Sequence, residues 1–441
     1  MARFHYTILS RAVPGREEEF IAWYRDRHLA DVCRVAGVVS GKLFRMDFQR
    51  VYELDAAPLW TLMTIYELEG DDPEAIIDSI RAASGTEDMP SCDALTKAGM
   101  IQATGHQIAS GEGSSVAAGN ADGSMRVPAR NISVPLFLSD VARAYLVPQQ
   151  GKVPYPAIDD KTGWQEYVTG VEQSILPMLR QMSAQAQAQV EERSANGARV
   201  FDILPSGVSA DSGPIVLDIH GGALILCGGE LCRVMGTGAA MRMQRRVWSV
   251  DYRMAPEHPY PAALDDCIAA YRALLAERSP EQIIVSGGSA GGNLAAALML
   301  RARDEGLPLP AGLILGTPEI DLTESGDSFQ TNDGIDPSLS SLMPVNLLYA
   351  DGHDLTHPYL SPLFGDFAKG FPPTLLTTGT RDLYLSNTVR MHRALRAANI
   401  PAALHVTEAG PHTGFPGGPE GAQIDQEIRL FIKAVLQETM S

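Results

Sequence analysis

Ser289 lies in the run Ile283-Ile284-Val285-Ser286-Gly287-Gly288-Ser289-Ala290-Gly291-Gly292-Asn293-Leu294-Ala295, where an apolar stretch passes through Gly-x-Ser-x-Gly into an Ala- and Leu-rich one. A strand before and a helix after are the setting in which this pentapeptide presents a serine on a sharp, exposed elbow. Glycines two residues to either side leave room for so tight a turn, and the helix beginning there aims the positive end of its dipole at the hydroxyl. A serine hydroxyl is a poor nucleophile near neutral pH, so it needs a base within hydrogen-bond reach and a carboxylate to orient that base. Two histidines follow residue 400. His405 falls inside the apolar run Ala403-Leu404-His405-Val406 and reads as a packed strand residue, whereas His412 sits in a loop, Glu408-Ala-Gly-Pro-His412-Thr-Gly-Phe415, and is the expected base. Asp382 is the first acid after the strand-like Pro373–Gly379 and is the expected orienting group. Its competing reading is a helix N-cap for residues 383–398. Asp366 and Glu408 are the fallback acids. Acyl transfer also needs donors for a developing oxyanion, and Gly221, Gly222 and Ala223, in the turn after Ile215–Ile219, are expected to supply amides together with Ala290. Each such donor is typically worth about a hundred- to a thousandfold in rate.

These groups must be carried by a rigid frame. From Arg199 onward, short apolar runs (200–204, 215–219, 247–250, 283–285, 313–315, 375–377 and 403–406) alternate with helical stretches. Continuous apolar strands interleaved with helices imply a mostly parallel sheet covered on both faces, an α/β architecture. Ile424, Ile428, Phe431, Ile432, Val435 and Leu436 form the apolar stripe of a closing helix. Residues 138–193 read as helical with proline interruptions, their alternation being too weak for strands. Residues 109–125 offer almost nothing to pack and read as a linker. Before them, Phe4, Tyr6 and Ile8 alternate as in a strand, Phe20, Trp23 and Tyr24 recur at helical spacing, residues 60–68 are β-prone, and Asp72-Pro73 starts a helix over 74–83. This order gives a small α+β sheet with helices on one face, whose other face is expected to be buried against a second copy. The expected division is 1–108, a linker over 109–130, a helical cap region over 131–198, and a catalytic domain over 199–441.

His220-Gly-Gly, Asp251-Tyr-Arg-Met-Ala-Pro-Glu-His-Pro-Tyr-Pro-Ala-Ala-Leu-Asp-Asp266, Gly287-Gly-Ser-Ala-Gly-Gly and Gly379-Thr-Arg-Asp382-Leu together resemble the hormone-sensitive-lipase family of α/β-hydrolases, over about residues 131–438. The resemblance implies an α/β-hydrolase fold with a helical cap, Ser289 as nucleophile, His412 as base, Asp382 as orienting acid, and Gly221, Gly222, Ala223 and Ala290 around the oxyanion. Three positions depart from the family pattern. Ala223 replaces the third glycine of HGGG, which keeps the amide and adds a Cβ; Gly288 replaces a larger residue before the nucleophile; and His412-Thr-Gly-Phe415 is one residue longer than the usual His-x-Phe. Arg253, Glu257 and His258 are read as tying the strand end to the cap, with Trp164, Tyr167 and Met178 as pocket walls. Residues 14–41, from Pro14-Gly-Arg-Glu-Glu-Glu-Phe through His28 to Gly41, resemble the EthD-like branch of the dimeric α/β-barrel (ferredoxin-like) superfamily over about residues 2–105, and His28 is read as structural.

The formal charge of −18 and the lack of a Lys/Arg run argue against nucleic acid and anionic membranes as partners. No run of about 18 apolar residues offers a membrane span, and the N-terminus lacks the apolar core of a secretory signal. Five scattered cysteines without a C-x-x-C pair read as reduced thiols, so a cytoplasmic location is expected, with no metal and no cofactor. The expected activity is a serine carboxylesterase acting on a small-molecule ester in a homodimer or higher homo-oligomer. The alternatives are a lactone or other acyl hydrolase on the same site, a non-catalytic ligand receptor on this fold, and an activity centred on His28.

Overall fold

The computed structural model describes residues 2–47, 60–107, 131–147, 154–209 and 213–437. The expected linker over 109–130 lies outside the described residues. The chain divides into two compact units, Met1–Ala129 and Arg130–Ser441.

The first unit runs β1 (Ala2–Ala12), α1 (Glu17–Trp23), one π turn over Tyr24–His28, α2 (Leu29–Cys33), β2 (Val38–Arg45), β3 (Leu62–Gly70), α3 (Pro73–Ala83) and β4 (Leu95–Gly105). The sheet order is β2-β3-β1-β4, and every pairing is antiparallel. Tyr6, Ile8, Ser10 and Ala12 of β1 are buried in alternation, and so are Leu62, Thr64, Tyr66 and Leu68 of β3, with Tyr6 opposite Tyr66. That period of two buries one sheet face beneath Phe20, Tyr24, Val32, Ile77 and Ile80 of the helical layer. Asp72 caps α3 by accepting the N–H of Glu74 and of Ala75 at 3.0 and 3.2 Å. The elements read from the sequence omit β4. Its residues, LTKAGMIQATG, bury no side chain fully and carry little alternation, so sheet pairing rather than local pattern makes them a strand.

The second unit begins with α4 (Asp140–Tyr145) and α5 (Lys161–Ser183), followed by β5 (Ala188–Ala195), β6 (Ala198–Pro205), β7 (Ile215–Ile219), α6 (Glu230–Met243) and β8 (Arg246–Asp251). It continues through α7 (Ala262–Glu277), β9 (Ile283–Gly288), α8 (Ala290–Asp304), β10 (Gly312–Gly316), the short α9 (Ser328–Thr331), α10 (Met343–Ala350), β11 (Thr374–Gly379), α11 (Leu385–Ala397), β12 (Ala402–Thr407) and α12 (Pro419–Val435). The sheet order is β12-β11-β10-β9-β7-β8-β6-β5, with β5 and β6 antiparallel to their neighbours and the others parallel. Residues from α6 and α12 bury one face, around Val216, Ile284 and Ile314. Residues from α7, α8 and α11 bury the other, around Leu217, Val285, Leu313 and Leu376. The central strands are fully buried, which is why they read as unbroken apolar runs.

One boundary is corrected. The helical region expected through residue 193, and the cap through 198, end earlier: β5 occupies Ala188–Ala195 and pairs with β6 through the two-residue turn Asn196-Gly197, both at positive φ (51° and 93°). As an edge strand with Glu191, Glu192 and Arg193, β5 has one face in water and a weak pattern. Trp164 is also reassigned, from pocket wall to anchor. It is fully buried, its ring stacks on Tyr155 at 5.9 Å, and its Nε1–H donates to the Ala157 carbonyl at 3.0 Å, which pins α5 to the unit. Met178 is about half exposed.

Candidate active site

The loops after β7, β9, β11 and β12 all leave the carboxyl edge of the parallel sheet, where open α/β sheets form their crevices. At the end of β9 the chain turns at Ser289 with φ 54° and ψ −126° and enters α8 at Ala290. A non-glycine residue in that region is strained, and neighbouring bonds hold it: Ser289 N–H donates to the Gly316 carbonyl at 2.9 Å, and the Ser289 carbonyl accepts from Gly292 and Glu319 at 2.9 and 3.1 Å. The flanking glycines are required by close approach. A Cβ on Gly287 would collide with the carbonyl of Gly291, and one on Gly291 with the carbonyls of Ile219 and His220. A Cβ on Gly288 would meet only the Gly316 carbonyl at an ordinary 3.6 Å, so this departure leaves open space and no strain.

His412 comes to the elbow from the loop after β12. Its Nε2 lies 2.9 Å from Ser289 Oγ, and its Nδ1 lies 3.2 Å from Asp382 Oδ1. Asp382 has no exposed surface and His412 has 6%. A carboxylate at Nδ1 favours the tautomer with the proton on that nitrogen, leaving Nε2 to accept the serine proton. Thr378 Oγ1 donates to Asp382 Oδ2 at 2.7 Å and the Tyr384 N–H donates to Oδ1 at 2.9 Å, so both carboxylate oxygens are fixed. The Tyr384 ring meets His412 edge-on at 4.9 Å. Burial pushes the His412 pKa down, but the hydrogen bond and charge of Asp382, with Asp336 and Glu319 adding, outweigh it and leave the value above 6.5.

The added residue of the His412-Thr-Gly-Phe415 stretch is taken up by a turn. Thr413 and Gly414 have φ of 67° and 70°, and Gly414 N–H donates to the Pro411 carbonyl at 2.9 Å. The turn delivers Phe415 into a cluster with Leu138, Ala142, Leu146 and Ala409. Residues 131–147 therefore brace the histidine loop, helped by Arg381 donating to the Ser133 carbonyl and by Ser139 donating from N–H and Oγ to Glu420, all at 2.8 Å.

The loop after β7 places Gly221 against the nucleophile, since a Cβ there would lie 3.3 Å from Ser289 Cβ. Ala223, Leu224 and Cys227 hold φ of 52°, 64° and 78°, strain that the surroundings must support. His220 stacks on Tyr252 at 4.1 Å and its carbonyl accepts the Tyr252 hydroxyl at 2.8 Å. Burial drives the His220 pKa down to about 4, so its imidazole is neutral. Glu172 of α5 accepts the Cys227 N–H at 2.7 Å, and Asp251 accepts that of Gly229 at 2.8 Å. Thr378, Tyr384 and Glu172 were not singled out from sequence. Glu319, next to the elbow, was also missed; burial raises its carboxyl to about 7.

The remaining candidates lie elsewhere. His405 is on β12, with Nε2 3.8 Å from Glu427. Asp366 caps a short turn through the Ala368 N–H at 3.1 Å. Arg253 pairs with Asp266 at 2.8 Å, while Glu257 accepts from Gln165 of α5 at 2.9 Å and so joins the segment after β8 to the cap. His28 of the first unit stacks on Trp23 at 4.3 Å and meets Tyr24 edge-on at 4.8 Å; burial lowers its pKa to about 4. Among the described residues, His220, Cys232 and Asp251 bring metal-type ligand atoms within 4.8 Å of one another. Asp251 is already bonded to Gly229 and paired with Arg199 at 3.1 Å, and that guanidinium disfavours a cation. No helix among the described residues is long and apolar enough to cross a membrane.

Residues 216–416, within the second unit, match the α/β-hydrolase fold family. An esterase of Acinetobacter venetianus is 38% identical over 43% of this chain and 64% of its own length. An acetyl-hydrolase of Streptomyces hygroscopicus is 32% identical over 51% of this chain and 77% of its own. Among solved structures, esterase E25 superposes with a TM-score of 0.65 at 35% identity, covering 72% of this chain and 99% of that one. An esterase of the bacterial hormone-sensitive lipase family gives 0.56 at 33% identity, covering 64% and 93%. The chain belongs to the α/β-hydrolase fold family. It spans just under two thirds of the length of the Acinetobacter esterase, and the matched residues leave the first unit unaddressed.

Proposed function

We propose that the second unit is a serine carboxylesterase that cleaves small carboxylic esters through an acyl-enzyme. Ser289 Oγ attacks the ester carbonyl while His412 Nε2 takes the serine proton, and Asp382 stabilises the imidazolium that results. The tetrahedral oxyanion is received by amides of Gly221, Gly222, Ala223 and Ala290. Collapse breaks the bond to the alcohol oxygen, which leaves with the proton held on Nε2. Water then attacks the acyl-serine and gives its proton to His412; the bond from the acyl carbon to Ser289 Oγ breaks, Oγ takes the proton back from Nε2, and the acid is released. The observation that carries this reading is the chain of contacts from Ser289 Oγ to His412 at 2.9 Å and from His412 to Asp382 at 3.2 Å. The names of the relatives, esterases and an acetyl-hydrolase, favour the same chemistry. Replacing Ser289 by Ala should reduce hydrolysis of p-nitrophenyl acetate and butyrate by up to about a millionfold. Turnover at the wild-type rate in that variant would remove the proposal.

The first unit is proposed to be an EthD-like association module joining two copies of the chain. Its support is the open sheet face, where Phe44 and Ile101 are 41% and 45% exposed and pair in register with Met63 and Leu9.

A further inference from the structure

Between β10 and β11 the chain makes a long excursion that contains α9 and α10. Part of it, residues 328–336, crosses both loops that carry the acid and the base. Ser328 Oγ donates to the Leu383 carbonyl at 2.6 Å, and Asn332 Nδ2 donates to the Asp382 carbonyl at 2.8 Å and the Thr380 carbonyl at 3.2 Å. Asp336 then closes the arrangement. Its Oδ2 accepts the main-chain N–H of Leu383 at 3.0 Å and that of His412 at 3.0 Å, while its Oδ1 accepts from Ser338 and Leu339 at 2.8 and 3.2 Å. One carboxylate oxygen thus spans residues adjacent to the acid and identical with the base, in a site where Asp336 is 2% exposed.

We propose that Asp336 is a positioning residue for the triad: by holding the loop after β11 and the loop after β12 on a single oxygen, it fixes the distance between Asp382 and His412. The inference rests on the esterase reading for its kinetic consequence, but its geometric content is independent of substrate. A carboxylate suits this task because it accepts four main-chain donors at once, where an amide offers one accepting oxygen and a donating nitrogen that would face N–H groups. Burial pushes the Asp336 carboxyl up, against the N–H bonds from Leu383 and Ser338 and the nearby imidazole, which favour its charged form. The groups facing His412 are Asp382 and the Tyr384 ring from the loop after β11, Asp336 from the excursion, and Glu319 from the loop after β10.

The test compares Asp336→Ala, Asp336→Asn and, as a surface control on the same segment, Asp333→Asn in the full chain. Displacement of catalytic groups by about an ångström typically costs about a hundredfold in rate. Asp336→Ala should therefore lower kcat by about that factor with KM changed less than about threefold, and Asp336→Asn should fall between it and the wild type. Removing the charge should also move the acidic limb of the pH profile, and the His412 titration followed by imidazole NMR, to lower pH in Asp336→Asn. Asp333→Asn should match the wild type in every readout. A kcat within twofold of wild type in folded Asp336→Ala overturns the proposal. If that variant does not fold, an Asp336→Asn protein with unchanged His412 titration overturns it, because a merely local turn cap would leave that titration in place. Should the wild type fail to turn over esters, the esterase reading falls, while the NMR comparison still decides the role of Asp336.

Discussion

Burial alone would strip the proton from His412, yet the surrounding carboxylates, Asp382 foremost, hold its pKa above the ordinary 6.5. In the proposed mechanism His412 must be neutral to accept the Ser289 proton, so activity is expected to be absent while the ring is protonated and to appear as pH rises through the raised value. The rate profile of kcat/KM should show an acidic limb centred above 6.5, and a limb below that value would contradict the environment described. Replacing Asp382 by Asn removes both the hydrogen bond to Nδ1 and the charge. The limb should move to lower pH and kcat should fall by about three to four orders of magnitude, because the favoured tautomer is lost. At this scale residue type and position relative to apolar runs singled out Ser289, Asp382 and His412, three side chains that the structure brings within hydrogen-bond reach of one another. What holds them was not legible, since Thr378, Tyr384 and Asp336 act through distances that no spacing in the chain encodes.

Elements built from buried, parallel strands were the easiest to foresee. Each of the seven apolar runs after residue 199 lies within one strand, from β6 to β12; full burial leaves an unbroken signal in the central ones, while β12 carries its run at a partly exposed edge. Two edge strands, β4 and β5, were missed. β4 and β5 carry charged or small residues on faces that meet water, and only the Asn196-Gly197 dipeptide, a two-residue hairpin turn, offered a local cue to β5. Residues 161–183 were foreseen as helical, but their link to the loop after β7 was not: Glu172 on α5 holds the Cys227 N–H of a segment with several positive φ values. A hydrogen bond to a charged group is worth about 1.5–3 kcal/mol. Glu172→Ala should therefore lower kcat by about tenfold with a smaller effect on KM, and Glu172→Gln, which keeps an acceptor, should restore most of the loss. Steady-state kinetics on p-nitrophenyl butyrate, alongside thermal melts showing both variants folded, would test this; equal kcat values would separate the cap from the oxyanion loop.

The molecule as a whole joins a hydrolase unit to a small sheet with one face open, and that face is where association is expected. Leu9, Met63 and Ile65 alternate with the buried residues of β1 and β3 and point away from the helical layer, and Phe44 and Ile101 stand opposite Met63 and Leu9 on the same face. A charge placed there would meet its own copy across a two-fold axis, at the same position. Ile101→Asp, and separately removal of residues 1–108, should lower the number of chains per particle, taken as light-scattering mass divided by chain mass, while ester hydrolysis persists. An unchanged number of chains per particle in both would refute the association role, and loss of hydrolysis on truncation would show that the second unit does not work without the first. The anchoring of α5 reaches further than stability. One face of that helix carries Tyr167 beside Tyr155, and another carries Glu172, which accepts the Cys227 N–H in the loop after β7. Under the proposed mechanism, directed evolution that shifts α5 to admit bulkier acyl chains would disturb the loop proposed to receive the developing charge, so broader substrate scope and fast turnover should prove hard to select together in this scaffold.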